Sequence, residues 1–330
     1  MKILLTGASG FIGSHCAQHM VAAGHDVVGV DSFDGYLYPS EVKRENAAVL
    51  AKHLSADRFR LHEADIADET AVNGLVAAAR PDVICHLAAL AGVRPSLAEP
   101  LRYTRANVHG TTVILEACRR LAVPRLVFAS SSSVYGAKAV EGDLTQVVAF
   151  REDDPCLEPA SPYAATKRAG ELLCSTYRDL FGLGISALRF FTVYGPRQRP
   201  DMAIHKFAAA IHAGRAIPVF GDGTTRRDYT FIDDIVAGVI ASCERVTPGR
   251  FEVYNLGGTV TTSLSELIAI IEEAVGKPAV IDRQPLQPGD VPITYADVSK
   301  AARDLGYAPT TSVRDGVARF WAWYREHRAS

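Results

Sequence analysis

Short, almost continuous apolar runs alternate with longer amphipathic stretches through the first half of the chain. The runs Lys2–Thr6, Asp26–Asp31, Arg58–Glu63, Val83–Leu87 and Arg125–Ser130, with Ser186–Phe191 further on, predict strands buried on both faces. Helical spacing predicts helices over Gly13–Ala23, Thr70–Ala79, Ala106–Leu121 and Pro162–Phe181, the first stopped at Gly24. Such alternation predicts an α/β chain: a Rossmann-type, doubly wound parallel sheet with helices on both faces.

After Thr192 the pattern changes. Pro, Gly and Arg become frequent and the apolar runs shorten, which predicts a smaller C-terminal α/β substrate-binding lobe. Phe231–Cys243 reads as a helix and Phe251–Leu256 as a strand, so the chain returns to the main sheet before leaving it again. Ser263-Leu-Ser-Glu266 is a capping box opening a helix to Val275, and Ser312–His327 is a terminal helix carrying Phe320, Trp321 and Trp323 as core residues. The division expected is residues 1–191 and 228–258 for a dinucleotide-binding domain, and 192–227 and 259–330 for the substrate lobe.

Composition sets outer bounds. The 330 residues, 48% hydrophobic and 22% charged, suffice for a large core. A formal net charge of -2 offers no broad attraction for nucleic acid or an anionic membrane, so neither is an expected partner. An anionic ligand would need locally placed arginines and backbone amides. Six cysteines, at 16, 85, 118, 156, 174 and 243, show no metal spacing and read as reduced core thiols. Met1–Ile12 is apolar but lacks a basic n-region, so it reads as a first strand, and a cytoplasmic location is expected.

Gly7-Ala-Ser-Gly10-Phe-Ile-Gly13 follows the first strand directly and leads into a helix. Glycines there permit the tight turn and let backbone amides at the helix N-terminus approach a pyrophosphate. Asp31 closes the second strand, where its carboxylate can accept bonds from both adenosine ribose hydroxyls and repel a 2′-phosphate. Ser32 and Phe33 beside it carry no compensating cation, which favours NAD over NADP. Asp65 and Ile66 follow the third strand and suit the adenine edge. Leu87, Ala88 and Ala89 follow the fourth, with side chains small enough for close approach.

Tyr163-Ala-Ala-Thr-Lys167 places a phenol and an ammonium on one helical face, behind Pro162 at the first turn. A neighbouring Lys⁺ and a positive nicotinamide ring would favour the phenolate, making Tyr163 a candidate base near neutral pH. Ser131, Ser132 and Ser133 end the fifth strand, where a hydroxyl can share the proton Tyr163 removes.

These motifs, together with Asn107-Val-His-Gly-Thr111, Arg189-Phe-Phe-Thr-Val-Tyr-Gly-Pro196, Arg227-Asp-Tyr-Thr-Phe-Ile-Asp-Asp234 and Gln287-Pro-Gly-Asp290, resemble the extended short-chain dehydrogenase/reductases of the nucleotide-sugar epimerase and dehydratase branch. The resemblance spans essentially the whole chain. It implies transient oxidation at C4 of a nucleotide sugar with Tyr163, Lys167 and Ser131 as catalytic residues, tightly bound NAD, a UDP-sugar substrate and a homodimer. It adds Asn107 and Phe191 to the cofactor contacts. Related 4,6-dehydratases carry Asp and Glu where Ser132 and Ser133 stand, and related decarboxylases carry Glu at the second position. Serines cannot easily do that proton work, so C4 inversion is the expected outcome.

Arg197-Gln-Arg199-Pro-Asp-Met202 resembles the UDP-glucuronate 4-epimerases, in which an arginine at the place of Arg199 faces the sugar carboxylate; a bidentate, charge-assisted contact is expected. The alternative is a neutral UDP-glucose/UDP-galactose epimerase. Arg94 is a further lining candidate, and Thr192, Lys206, Val219, Phe220, Arg227 and Asp290 match family positions around the nucleotide and sugar. No metal is expected. Asp233 and Asp234 read as first-turn acids, and His15 and His19 lack a third ligand. The stretch 137–151 is longer than the chemistry needs and reads as a surface loop or substrate-edge lid.

Overall fold

The structure, a computed structural model, describes residues 1–136, 149–285 and 291–328. Its centre is a seven-stranded parallel sheet. The Rossmann half runs β1 (Lys2–Thr6), α1 (Phe11–Ala22), β2 (Asp26–Asp31), α2 (Ser40–His53), β3 (Phe59–Glu63), α3 (Glu69–Ala79) and β4 (Val83–His86). Two short helices, α4 (Val93–Ala98) and α5 (Pro100–Tyr103), and a π-turn over Thr104–His109 lead into α6 (Gly110–Arg120) and β5 (Arg125–Ser131). A 3₁₀ turn (Ser132–Tyr135) follows, then α7 (Pro162–Phe181) and β6 (Gly184–Phe190).

The remainder comprises β7 (Thr192–Tyr194), α8 (Ala203–His212), β8 (Ala216–Phe220), β9 (Arg226–Arg227), β10 (Tyr229–Phe231), α9 (Ile232–Arg245), β11 (Phe251–Leu256), β12 (Thr262–Ser263), α10 (Leu264–Val275), β13 (Val280–Gln284), α11 (Ser299–Leu305) and α12 (Val313–Arg328). Strand order is β11-β6-β5-β4-β1-β2-β3. Sequence order reverses between β1 and β4, and a doubly wound sheet opens its ligand crevice at that switch point.

The predicted strands all form, with ends shifted by a residue or two. The predicted 106–121 helix is a π-turn followed by α6, and the chain rewinds where Asn107 turns its amide inward. Among the elements that the apolar pattern did not show are α8, α11 and α2, the last of which buries only Asn46 and Leu50. A helix with so narrow a buried stripe gives little periodic signal.

Local chemistry sets the ends. α7 begins where Ser161 caps the amide of Ala164 ahead of Pro162, and it stops at Gly182, whose φ of 69° is left-handed. The capping box at Ser263 and Glu266 forms in both directions. One hydrophobic cluster extends from Ile3 and Leu5 through Met20 and Val236 to Phe320 and Trp321, so the terminal helix is fastened to the same core as the first strand. All six cysteines are buried free thiols. Among the described residues, no helix is long and apolar enough to cross a membrane.

Candidate active site

A cleft of about 1040 Å³ opens along the carboxyl ends of the sheet, lined in turn by the β1–α1 turn, the ends of β2 to β5, α7 and the segment after β7. At its floor, Gly7 takes a φ of +72°, and a Cβ there would stand 2.9 Å from the Ala88 nitrogen. A Cβ on Gly13 would come within 2.0 Å of the Gly7 carbonyl oxygen, so only glycine lets α1 start this close to β1. Gly10 caps α1 with no side chain, leaving first-turn amides facing the cleft. Asp31 is buried, and its two oxygens accept from the amides of Ser9 at 3.0 Å and Phe33 at 2.9 Å. Those bonds fix the carboxylate at the cleft edge.

Gly7, Gly10, Phe11, Ile12, Gly13, Asp31, Ser32, Asp65, Ile66, Leu87, Ala88, Ala89 and Phe191 all line this cleft. Phe33 and Asn107 do not. Phe33 gives its amide to Asp31, and its ring lies under the Arg44 guanidinium, 4.4 Å from the centroid. Asn107 spends its side chain on the wall: Nδ2 donates to the Leu90 carbonyl and to Thr166, and Oδ1 accepts from the Leu90 amide. It shapes the cleft without facing it.

Lys43 lies in the cleft on α2 and was missed from the sequence. Its ammonium donates to the Asp34 carbonyl at 2.9 Å and sits 5.3 Å from the Tyr38 ring centroid. Burial lowers its pKa while Asp31 and Asp34 act the other way. Lys43 thus adds a cation whose charge Asp31 feels, beyond Ser32 and Phe33 themselves. The turn between β2 and α2, not residue spacing, brings it there.

Tyr163, Lys167, Ser131, Ser132 and Ser133 meet at the middle of the cleft. Tyr163 is buried, and burial pushes its phenol up from the ordinary value while Ser131 and the Arg199 charge act against that rise. Lys167 donates to the Ala129 carbonyl at 2.7 Å, and burial brings its pKa down to about 7. The lysine that was expected to stabilise the phenolate is thus itself only weakly held in its charged form in the bare protein. Ser130 is taken by structure: it donates to Glu171, which Arg189 clamps through Nε and Nη2 at 2.9 Å each.

At the sugar end, Thr192 and Arg199 line the cleft. The two arginines of the Arg197–Met202 segment part company. Arg197, at a φ of 62°, donates to Gln18 of α1, and only Arg199 faces the ligand space. Arg199 forms its bidentate contact with Asp201, at 2.9 and 2.6 Å, so the side-on pair of N–H groups is already engaged within the chain.

Arg94, Lys206, Val219, Phe220 and Arg227 lie outside the cleft lining. Arg94 stacks 4.5 Å from the Phe220 centroid, Val219 is buried in the β8–β13 pairing, Lys206 is exposed on α8, and Arg227 donates to the Arg226 carbonyl. Asp290, the rest of the Gln287–Asp290 motif and residues 137–148 of the 137–151 loop fall outside the described residues. Asp233 and Asp234 stand in the first turn of α9, engaged with Arg319 and with the amides of Thr310 and Thr311. His15 contacts the Pro196 carbonyl, with its pKa lowered to about 3 chiefly by burial.

The family model described as GDP-mannose 4,6 dehydratase matches residues 4–320. The chain belongs to that family, within the extended short-chain dehydrogenase/reductases. It is 39% identical to a UDP-glucuronate 4-epimerase of Thermodesulfobacterium geofontis, over 98% of this chain and 96% of the relative. The crystal structure of UDP-glucuronic acid 4-epimerase from Bacillus cereus in complex with UDP-glucuronic acid and NAD superposes with a TM-score of 0.90 at 39% identity, covering 99% of each chain. A UDP-glucose 4-epimerase from Thermotoga maritima with UDP-glucose matches at a TM-score of 0.87 and 30% identity, again over 99% of both chains.

Proposed function

We propose that this chain is an NAD-dependent UDP-glucuronate 4-epimerase, interconverting UDP-glucuronate and UDP-galacturonate. The observation that carries the reading is the one cleft in which a glycine-floored helix N-terminus, the Tyr163, Lys167 and Ser131 group and the half-buried Arg199 follow one another. Similarity to the Bacillus cereus and Thermodesulfobacterium epimerases supports the sugar.

The residues present fit NAD. A Cβ at Gly7 or Gly13 would close the cradle, the uncapped amides of α1 suit a pyrophosphate, and the Asp31 carboxylate suits a ribose diol. Bound there, NAD supplies a hydride acceptor that can return the hydride to the same carbon. Tyr163 removes the proton of the sugar 4-hydroxyl and gives it back after the flat 4-keto sugar has turned over. Ser131 shares that proton, and Lys167, anchored on Ala129, favours the phenolate when it is protonated. Ser132 and Ser133 offer hydroxyls to the sugar but no acid or base for elimination, which disfavours dehydration. Arg199 recognises the C6 carboxylate.

Incubating the purified protein with UDP-glucuronate and following the sugar by proton NMR tests the reading. UDP-galacturonate is the expected product. Turnover of UDP-glucose with none of UDP-glucuronate would overturn the sugar assignment, and release of carbon dioxide or a 4-keto-6-deoxy product would overturn the reaction. The division into a cofactor part (1–191 and 228–258) and a sugar part (192–227 and 259–330) belongs to the same proposal. So do a cytoplasmic location, supported by the free thiols, and a homodimer, supported by the exposed Leu172, Leu180 and Phe181 on α7. Light scattering of the purified protein checks the dimer.

A further inference from the structure

We infer that Asp201 is a positioning residue that orients Arg199 so that its outer edge meets the sugar carboxylate, an inference that rests on the reading of the sugar site above. A guanidinium carries five N–H groups in one plane and can present two forks, side-on through Nε and Nη2 or end-on through Nη1 and Nη2. Asp201 takes the side-on fork, with Oδ1 2.9 Å from Nε and Oδ2 2.6 Å from Nη2. Both N–H groups of Nη1 and the second of Nη2 remain, and one from each nitrogen forms the end-on fork.

The pair is sheltered: the Arg199 side chain is 15% exposed and that of Asp201 27%. The centroid of the buried Tyr38 ring lies 5.7 Å from the guanidinium carbon, a cation–π contact. In-plane rotation is fixed by Asp201, and the Tyr38 contact adds to the restraint. A sugar carboxylate can then bind end-on without displacing Asp201, and Arg199 can hold two carboxylates at once. Because Asp201 already offsets the arginine's charge, recognition depends on the direction of the N–H groups more than on net charge. Discrimination between charged and neutral sugars is therefore expected to be lost when the tether is cut, even though the cation remains.

The test uses the NAD-loaded enzyme, with Asp201→Ala and Asp201→Asn assayed for UDP-glucuronate epimerisation and for binding of UDP-glucuronate and of UDP by calorimetry. Asp201→Ala should lower kcat/KM for UDP-glucuronate about 10- to 100-fold, chiefly through KM, with UDP affinity unchanged within about twofold. Asp201→Asn, whose carbonyl can still accept one N–H, should recover part of the loss, and it also serves if the alanine variant folds poorly. Combining Asp201→Ala with Arg199→Ala should cost no more than Arg199→Ala alone. Activity at or above wild type in Asp201→Ala would mean that the aspartate competes with substrate for the arginine. Equal loss of UDP and UDP-glucuronate binding, or full additivity with Arg199→Ala, would mean a merely structural contact. Each of these overturns the inference while wild-type turnover of UDP-glucuronate leaves the functional reading standing. A wild type that binds UDP-glucuronate no better than UDP-glucose would instead remove the carboxylate reading and the inference with it.

Discussion

The two ends of the cleft are built differently. The cofactor end is made of backbone: Gly7 and Gly13 remove side chains where α1 approaches β1, and Asp31 is held by two amides. The sugar end is made of side chains from separate parts of the chain, with Arg199 and Asp201 after β7, Tyr38 before α2 and Tyr163 on α7. Backbone geometry over a short segment is rigid and local. A constellation of long side chains is neither, which is why substrate choice can change in this architecture while cofactor binding stays.

Four changes would break or sharpen that contrast. The largest effect is expected at the chemical centre: Tyr163→Phe should cut kcat by about 10²–10⁴-fold, the range of a lost general acid–base, with NAD still bound. Full turnover in that variant would remove Tyr163 from its role. At the cofactor end, Gly13→Val should abolish NAD retention, since even a Cβ would stand 2.0 Å from the Gly7 oxygen. Spectroscopy of released cofactor after denaturation checks this, and a fully loaded variant would show that the turn can yield.

At the sugar end, Arg199→Ala should weaken UDP-glucuronate by about 10- to 100-fold, the worth of a charge-assisted contact, and UDP-glucose far less. Equal losses would assign the arginine to the shared nucleotide instead.

The smallest effect is on stability. Lys167 titrates near 7 when folded against an unfolded value of 10.5. Between those values the unfolded chain binds more protons, so its contribution to stability rises with pH across that window and is flat below it. In cofactor-free protein the slope should reach about 1 kcal/mol per pH unit at most, and Lys167→Met should remove it. Identical pH dependence of Tm in the two proteins would contradict a lysine whose pKa burial lowers.

Much of the fold could be read from the chain. Strands buried on both faces give unbroken apolar runs, and α7 and α10 carry their own start and stop signals in Ser161-Pro162, Gly182, the Ser263 capping box and Gly276. What escaped was weakly patterned, such as α2 with its two buried positions. In the site, the glycine turn, Asp31, the serines, Tyr163 and Lys167 were legible because each motif is short and sits beside a strand or helix that places it. Lys43 and Asp201 were not. Lys43 belongs to no recognisable local pattern, and Asp201, though it stands inside the Arg197–Met202 motif, gains its role only from the bond its side chain makes to Arg199.

By itself, then, the sequence determined the α/β sheet, the phosphate-binding turn and the tyrosine–lysine pair, because periodicity and short spacings translate directly into backbone geometry. Only the tertiary structure decided which of the two neighbouring arginines faces the ligand, that Asn107 builds the wall instead of lining it, and that Asp201 holds the side-on edge of Arg199. Those outcomes depend on where side chains point, even for Asp201 two residues from Arg199, and no spacing along the chain encodes a direction in space.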